Sequence, residues 1–558
     1  MIGVFLRKNI SWLVVAAVMG WAFFVVGTRQ GASSKPGEVT IRIAHYQLEP
    51  GVREGLDEAA AAYQKLHPNV RVRQEAIPEG TYAQWLSTQL MGGTAPDIIQ
   101  IGQVPPNQMI AFYARYILPL TPFVPRPNPY NQGTNLEGMP LIQTFKDGMR
   151  KAYVNELQEY MNIPLGLTSM RIYYNKDLLR KLTGTDAAPR NFREFLSVCE
   201  EIGRQRQPDG KPYIPIAGSA YHYSNGWSLN MVMPLTYQAF LETDFNGDGL
   251  FSKEEMYLGF LSGRLSFAHP AYEKAFQMVR EVARFFPHGW AGLNRDEAIF
   301  NFAQGRAVFM STGMWEAEGI QQQAEGKFAI GKMDFVLPDT NDPAYGSVVE
   351  GPRYENPEGG MPMAITNTSK HPEVALDFLL FLTSQKQNEV FNERLKWIPI
   401  IEGARLAPGM EIFEPRMEGV FAAMDPTIGP ESLIKWEQMY SLYRIGQIGY
   451  REMADEFTRF YLGREGRADY QEFLRNMRRG QVQKAQFAVG LREKAREDGA
   501  DSSWMRYRVA VGALALGEAN VLRLHESFQQ PEQLGKRPAF RYSPKAIERI
   551  RKQAKGNP

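Results

Sequence analysis

The sequence predicts an α/β protein with a parallel sheet at its core, and three observations carry that prediction. Val39–Gln47 alternates as a strand, Val52, Leu56, Ala59, Tyr63 and Leu66 then recur at helical spacing, and Val70-Arg71-Val72 alternates again, which makes a βαβ unit. A second unit runs through a helix carrying Tyr82, Trp85, Leu86 and Leu90 into Asp97–Ile101, a short β-branched run suited to a strand covered on both faces. Between them, Gly92-Gly93 can close the helix and Pro96, which donates no hydrogen bond, enforces a break. Gly102-Gln103 then emerges at the carboxyl end of a strand, where open α/β sheets hold their ligands.

Further along, the prolines at 119, 122, 125, 127, 129 and 140 are too dense for a helix or central strand and predict a surface loop or an insertion. Met170, Ile172 and Tyr174 alternate as a strand, Asp177–Leu182 begins a helix, and Ala307–Met310 is another strand. Pro372–Phe391 reads as one amphipathic helix, and helices are expected around Glu431–Tyr443 and Tyr450–Tyr461.

Four segments together resemble the extracellular solute-binding proteins of ABC importers, in particular the carbohydrate-binding family that includes maltose-binding protein. They are HPNVRVRQEAIPEGTYAQWLSTQLMGGTAPDIIQIGQ, IPLGLTSMRIYYNKDLLRKL, FAQGRAVFMSTGMWE and GGMPMAITNTSKHPEVALDFLLFLTSQKQNEVFNE, in the family's order, and the likeness runs with gaps from about Val39 to Gly463. The resemblance implies two α/β lobes joined by several hinge crossovers, with residues 39–160 plus 361–400 in the first lobe and 161–360 plus 401–463 in the second. It places crossovers at Asn162–Gly166, Gly359–Pro362 and Trp397–Pro399, and leaves 464–558 as a mostly helical C-terminal extension.

The 558 residues carry a net charge of +2, so composition makes no case for nucleic acid. The single cysteine, Cys199, excludes an internal disulfide framework and a thiolate metal cluster, and no cysteine stands where a lipoprotein signal would need one. Residues 1–38 comprise a basic start at Arg7-Lys8, an apolar run Trp12–Gly27 and a tether. That run is either a signal peptide or an uncleaved anchor, and both export the rest of the chain. The expected place is therefore periplasmic or otherwise extracytoplasmic, tethered to the inner membrane. The basic stretch Arg541–Lys555 is either a solvated helix or a contact for anionic headgroups or an acidic partner.

The sharpest local motif is Asp244–Glu255, DFNGDGLFSKEE, which fits the EF-hand calcium loop at every defined position. Asp244, Asn246 and Asp248 would offer side-chain oxygens, Leu250 its carbonyl, Ser252 a water-mediated contact and Glu255 a bidentate carboxylate; the competing reading is a polar loop of turn residues. One structural calcium ion and no organic cofactor are expected. Sugar recognition needs flat apolar faces and fixed polar groups. The candidates are Tyr46, Gln47, Tyr82 and Gln103 from the first lobe and Tyr223, Trp227, Trp315, Glu350 and Trp436 from the second, each with a core or surface role as its rival. Seven histidines without metal spacing, no G-x-S-x-G elbow and no phosphate-cradling loop argue against an enzyme. The expected function is a monomeric sugar or oligosaccharide receptor that closes over its ligand and docks on an ABC permease. A tethered receptor for a sensor or surface partner is the alternative, and a glycan-processing enzyme the third reading.

Overall fold

The structure, a computed structural model, describes residues 37–49, 51–104, 108–154, 157, 159–228, 245, 252–349, 358–415, 426–499 and 501–536. The N-terminal apolar run, Glu350, most of the calcium-type loop and Arg541–Lys555 lie outside them. Among the described residues, no helix is long and apolar enough to cross a membrane.

The first lobe is built on four strands, β1 (Val39–His45), β2 (Val70–Ala76), β3 (Ile98–Gln100) and, much later in the chain, β12 (Met363–Ile365), in the order β12-β3-β1-β2. β1 pairs in parallel with both β2 and β3, and β12 runs antiparallel to β3. The helices Val52–Leu66 and Glu79–Met91 supply the crossovers, burying Leu56, Ala59 and Tyr63 from one and Tyr82, Leu86 and Leu90 from the other. The proline-rich segment is packed and not free. Asn128 caps a short 3-10 turn and its amide donates to Leu380 O at 2.8 Å, while Tyr130 donates to Asp377 at 2.6 Å, so the turns are riveted to the helix Pro372–Leu382. A small hairpin of β4 (Tyr153–Val154) and β5 (Glu159–Tyr160) precedes the hinge.

The hinge itself pairs β6 (Gly166–Thr168) antiparallel with β11 (Glu358–Gly360), the two chain segments that pass between the lobes. The second lobe has β7 (Met170–Asn175), β8 (Ile214–Ile216), β9 (Ala307–Gly313) and β10 (Ile330–Met333) in the order β10-β7-β9-β8, with β8 parallel to β9 and the other pairs antiparallel.

Two sequence expectations need correction. Pro372–Phe391 is two helices, Pro372–Leu382 and Gln385–Leu395, because Thr383 turns its hydroxyl back onto Leu379 O and Ser384 caps the next helix by accepting from Gln387 N. The last crossover is also later than Trp397–Pro399. Lys146 N donates to Ile400 O and Glu402 N to Thr144 O, so the chain still tracks the first lobe there. The crossing is made by Phe413 and its neighbours, which accept hydrogen bonds from Ser169 Oγ and from the guanidinium of the buried Arg171, on the second-lobe side.

After the lobes, helices Arg464–Asp498 and Asp501–Gln529 form an antiparallel pair rooted in the second lobe. Tyr470 stacks on Tyr257 at 4.6 Å and on Phe528 at 5.0 Å, and Asp469 accepts from both Ser432 N and Ser432 Oγ.

Candidate functional site

Strand ends from both lobes converge on one cluster of polar and aromatic side chains. In the first lobe, β1 runs out into Tyr46, Gln47 and Glu49, β3 into Gly102 and Gln103, and the helix Glu79–Met91 opens with Glu79 facing them. Gln103 Nε2 donates to Glu79 Oε1 at 2.9 Å. With its amide oriented by its neighbours, Gln47 donates to both Glu49 oxygens at 2.9 and 3.1 Å and accepts from Gln100 Nε2 at 2.7 Å. Gln100 Oε1 in turn accepts from Tyr46 N, so a buried side chain of β3 fixes the loop after β1. Gly102 holds φ +147, and a Cβ there would stand 2.2 Å from the Tyr46 hydroxyl; only glycine lets the ring lie over this strand end. Burial pushes the Tyr46 phenol up to about 12, and burial likewise raises the Glu49 carboxyl above its ordinary value.

The second lobe contributes Tyr221 and His222 after β8, Arg295 at the start of the helix Arg295–Ala303, and Trp315 and Glu316 after β9. Asn294 caps that helix in a reciprocal box with Glu297, which fixes Arg295 at its first position. The guanidinium of Arg295 contacts Glu316, lies 5.5 Å over the Tyr221 ring, and places Nη1 3.8 Å from Glu79 of the first lobe. Arg295 is thus a direct cross-lobe contact. His222 accepts or donates at Nδ1 with Ser219 Oγ at 2.8 Å, is fully buried, and is pushed down to about 4 by burial first and the nearby Arg295 second. The Trp315 ring lies over Gly313, whose Cβ would stand 2.2 Å from it, and the partly buried ring packs against two hydrophobic clusters that both include second-lobe residues.

Of the residues proposed from sequence, the structure brings Tyr46, Gln47 and Gln103 together on the first-lobe wall and sets Trp315 beside Glu316 on the other. Four others belong to packed cores. Tyr82 is fully buried, donates to Gln100 O at 2.9 Å and meets Tyr46 edge-on at 5.1 Å, so it supports the wall and does not line it. Tyr223 and Trp227 sit four residues apart on the inward side of the single helical turn His222–Ser228. Tyr223 stacks on Trp290 at 5.0 Å, and Trp227 lies between Phe195 and Phe335 at 5.6 and 5.1 Å, with both side chains at 0 % exposure. Trp436 stacks on Tyr440 and Phe267 inside the helix Pro430–Arg444. Sequence reasoning missed Glu49, Glu79, Tyr221, Arg295 and Glu316, whose local contexts are ordinary helix starts and loops.

Of the calcium-type loop, Ser252 and Glu255 are described. Ser252 caps the helix Lys253–Leu261, accepting from Glu255 N, and the buried Glu255 carboxylate turns back toward the loop, accepting from Ser252 N at one oxygen and from Phe245 N at the other. The remaining ligand candidates, Asp244, Asn246, Asp248 and Leu250, lie outside the described residues.

Residues 49–389 match the bacterial extracellular solute-binding protein family. The chain belongs to that family. Among curated relatives, the multiple sugar-binding protein of Streptococcus mutans is 22% identical over 393 residues, covering 68% of this chain and 79% of its own. An uncharacterized ABC transporter extracellular-binding protein of Pyrococcus horikoshii is 20% identical over 307 residues, covering 52% and 60%. Among solved structures, RafE in complex with raffinose superposes with a TM-score of 0.51 at 18% identity, covering 76% of this chain and 99% of that one. Maltose-bound MalE3 of T. maritima gives 0.52 at 17%, covering 75% and 98%. These relatives are binding proteins and not enzymes, and the family is extracytoplasmic. The carboxylates at the interlobe cluster of this solute-binding protein accept hydrogen bonds from Gln47 and Gln103 and face the Arg295 guanidinium.

Proposed function

We propose that this solute-binding protein is the sugar or oligosaccharide receptor of an ABC importer, working as a monomer whose two lobes close over the ligand and present the closed form to a membrane permease. The observation that carries the reading is the approach of Arg295, which contacts Glu316 and lies over Tyr221 beside Trp315 in the chain, to Glu79 and the wall of Tyr46, Gln47, Glu49 and Gln103 across the lobes. Carboxylates, amides and a guanidinium are the groups that grip hydroxyls, and partly buried rings offer the flat faces that sugar C–H surfaces need. The sugar-binding name of the Streptococcus mutans relative points the same way.

The N-terminal apolar run Trp12–Gly27 would keep the receptor at the inner membrane, and Asp244–Glu255 would hold one calcium ion as a structural clamp in the second lobe. The motif itself supports the clamp; the buried Glu255 carboxylate accepts from Phe245 N at one oxygen and Ser252 N at the other, contacts that a calcium ion would replace. Thermal unfolding against a panel of mono- to tetrasaccharides tests the main reading. A true ligand at ~100 times its dissociation constant should add about 2.7 kcal/mol; silence across the panel would remove the sugar assignment.

A further inference from the structure

We propose that the C-terminal helical pair is a docking surface for an anionic lipid bilayer, which it meets with the outward face of the helix Asp501–Gln529. The surface lies beyond residues 49–389, the part of the chain that matches the family, and is independent of the cleft.

The net charge of +2 conceals a separation. Residues 464–558 hold 20 lysines and arginines against 11 aspartates and glutamates, a charge of +9, while residues 39–463 hold 39 against 49, a charge of −10. Ion pairing in the described part of the extension does not absorb its arginines. Arg475 and Arg479 share Glu472, and Arg492 and Arg496 share Glu493, so each carboxylate serves two exposed guanidiniums. Surface pairs of this kind are weak and exchange readily for another anion. A molecule divided in this way turns its extension toward a negative surface and holds its lobes, with their cleft, away from it.

The same extension exposes an apolar face. The helix Asp501–Gln529 carries no charge from Val509 to Gly517, and a helix that is apolar all round calls for cover on every side. It has cover on one. At 3.6 residues per turn, the buried Ser503, Val521, Leu524 and Phe528 share the side toward the helix Arg464–Asp498 and the second lobe, and Met505, Gly512, Leu516 and Ala519 fall on the opposite side, exposed. Met505 is 58 % exposed, Leu516 75 % and the flanking Leu522 61 %. At the start of this helix Trp504 and Tyr507 meet edge-on at 6.0 Å and alternate in sequence with Met505, Arg506 and Arg508, rings and cations of the kind that settle at headgroup level. A second copy of the chain would bring +9 against +9, and an acidic protein surface would answer the charge alone. A bilayer answers both, with phosphates for the guanidiniums and acyl chains for the stripe.

The test uses the chain from Thr28 onward, which keeps every described residue and removes the N-terminal apolar run as a rival membrane contact. It is sedimented with vesicles of phosphatidylcholine alone and with vesicles of phosphatidylcholine and phosphatidylglycerol in equal parts, at low and at high salt. Binding should be at least about tenfold stronger to the anionic vesicles and should fall as salt rises. Met505→Asn combined with Leu516→Asn, at exposed positions where folding is not at stake, should weaken binding to the anionic vesicles by at least about tenfold, whereas Ile434→Asn, an exposed apolar position on the second lobe, should leave it unchanged. Equal binding to both vesicles, or binding to neither, overturns the proposal, and so does undiminished binding by the double variant. Retention on immobilised polyglutamate without vesicle binding would assign the charge to an acidic protein partner instead. A dimer that the double variant abolishes, in a protein without affinity for vesicles, would give the face to a second copy, and either result overturns the bilayer.

Discussion

Replacing Arg295 by glutamine isolates the contact that joins the lobes. The guanidinium side chain is 23% exposed and its own-lobe partner Glu316 is 17% exposed, so the pair lies well within the protein and its loss strands a poorly solvated carboxylate. Hydrogen bonds to charged groups of this kind contribute about 1.5–3 kcal/mol, and removing one partner exposes the desolvation cost of the other. The Glu79 partner is 53% exposed and sits at 3.8 Å, so solvent screening reduces that pair to about 0–1 kcal/mol. Arg295→Gln should therefore lower the stability of the ligand-free protein by about 2–3 kcal/mol, almost all of it through Glu316. Arg295→Gln combined with Glu316→Gln should recover half or more of that loss, because no uncompensated charge is left behind. Urea unfolding monitored by tryptophan fluorescence measures all three proteins. If the two substitutions simply add, the ion pair is not what holds Arg295, and its cross-lobe placement would have to come from packing on Tyr221.

Four further outcomes are expected. Trp315→Ala should weaken sugar binding by at least about tenfold while leaving the fold intact, as loss of a stacking face worth about 1.5 kcal/mol would do; unchanged affinity in a folded protein would take Trp315 out of the site. Calcium at up to ~10⁻³ M should raise the unfolding temperature of the parent protein but not of Glu255→Gln, with sugar affinity in calcium-free buffer alike in both; absence of any shift in the parent would end the metal assignment. The neutral, buried His222 accepts a proton only near pH 4, whereas the unfolded chain takes one up near 6.5, so stability is undiminished above 6.5 and falls as pH drops toward 4, by about 1.4 kcal/mol per unit at most. His222→Gln should flatten that slope, and an equal slope in both proteins would contradict it. Finally, the native protein should stay with membranes through a high-salt wash; a soluble chain beginning near Thr28 would mean the N-terminal run is cleaved.

The fold was legible wherever local pattern and tertiary demand agreed. The βαβ units of the first lobe can be read from spacing alone, because β3 is a buried β-branched run, β1 and the edge strand β2 alternate, and the helix between them carries one apolar stripe. The pattern misled where small polar side chains intervened. Val374, Phe378, Phe381 and Leu382 describe a continuous stripe, and nothing in hydrophobic period marks Thr383-Ser384 as a stop, although both hydroxyls turn back to backbone groups. The last hinge crossing was misplaced for a related reason. Trp397-Ile398-Pro399 looks like an exit, but it is Arg171, some 240 residues earlier in the chain, that receives the crossing strand through Ile412 O and Glu414 O.

The site was half legible, and which half is instructive. Tyr46, Gln47 and Gln103 could be found because a strand end is visible in sequence and open sheets place ligands there. The aromatic residues were overread, since a ring's chemistry is the same in a cleft and in a core; Tyr223 and Trp227 face inward from the turn His222–Ser228, whereas Trp315 stands partly buried in the separate turn Met314–Glu316. The charged members were missed for the opposite reason. Glu79 stands in the first turn of a helix, where a carboxylate is favoured by the dipole and needs no further explanation, and Arg295 opens another whose acidic first turn, Asp296 and Glu297, makes it look like an ordinary helix start. Their meaning arises only when the hinge brings the two helix starts to within an ion-pair distance, which makes the pairing a property of the lobe arrangement.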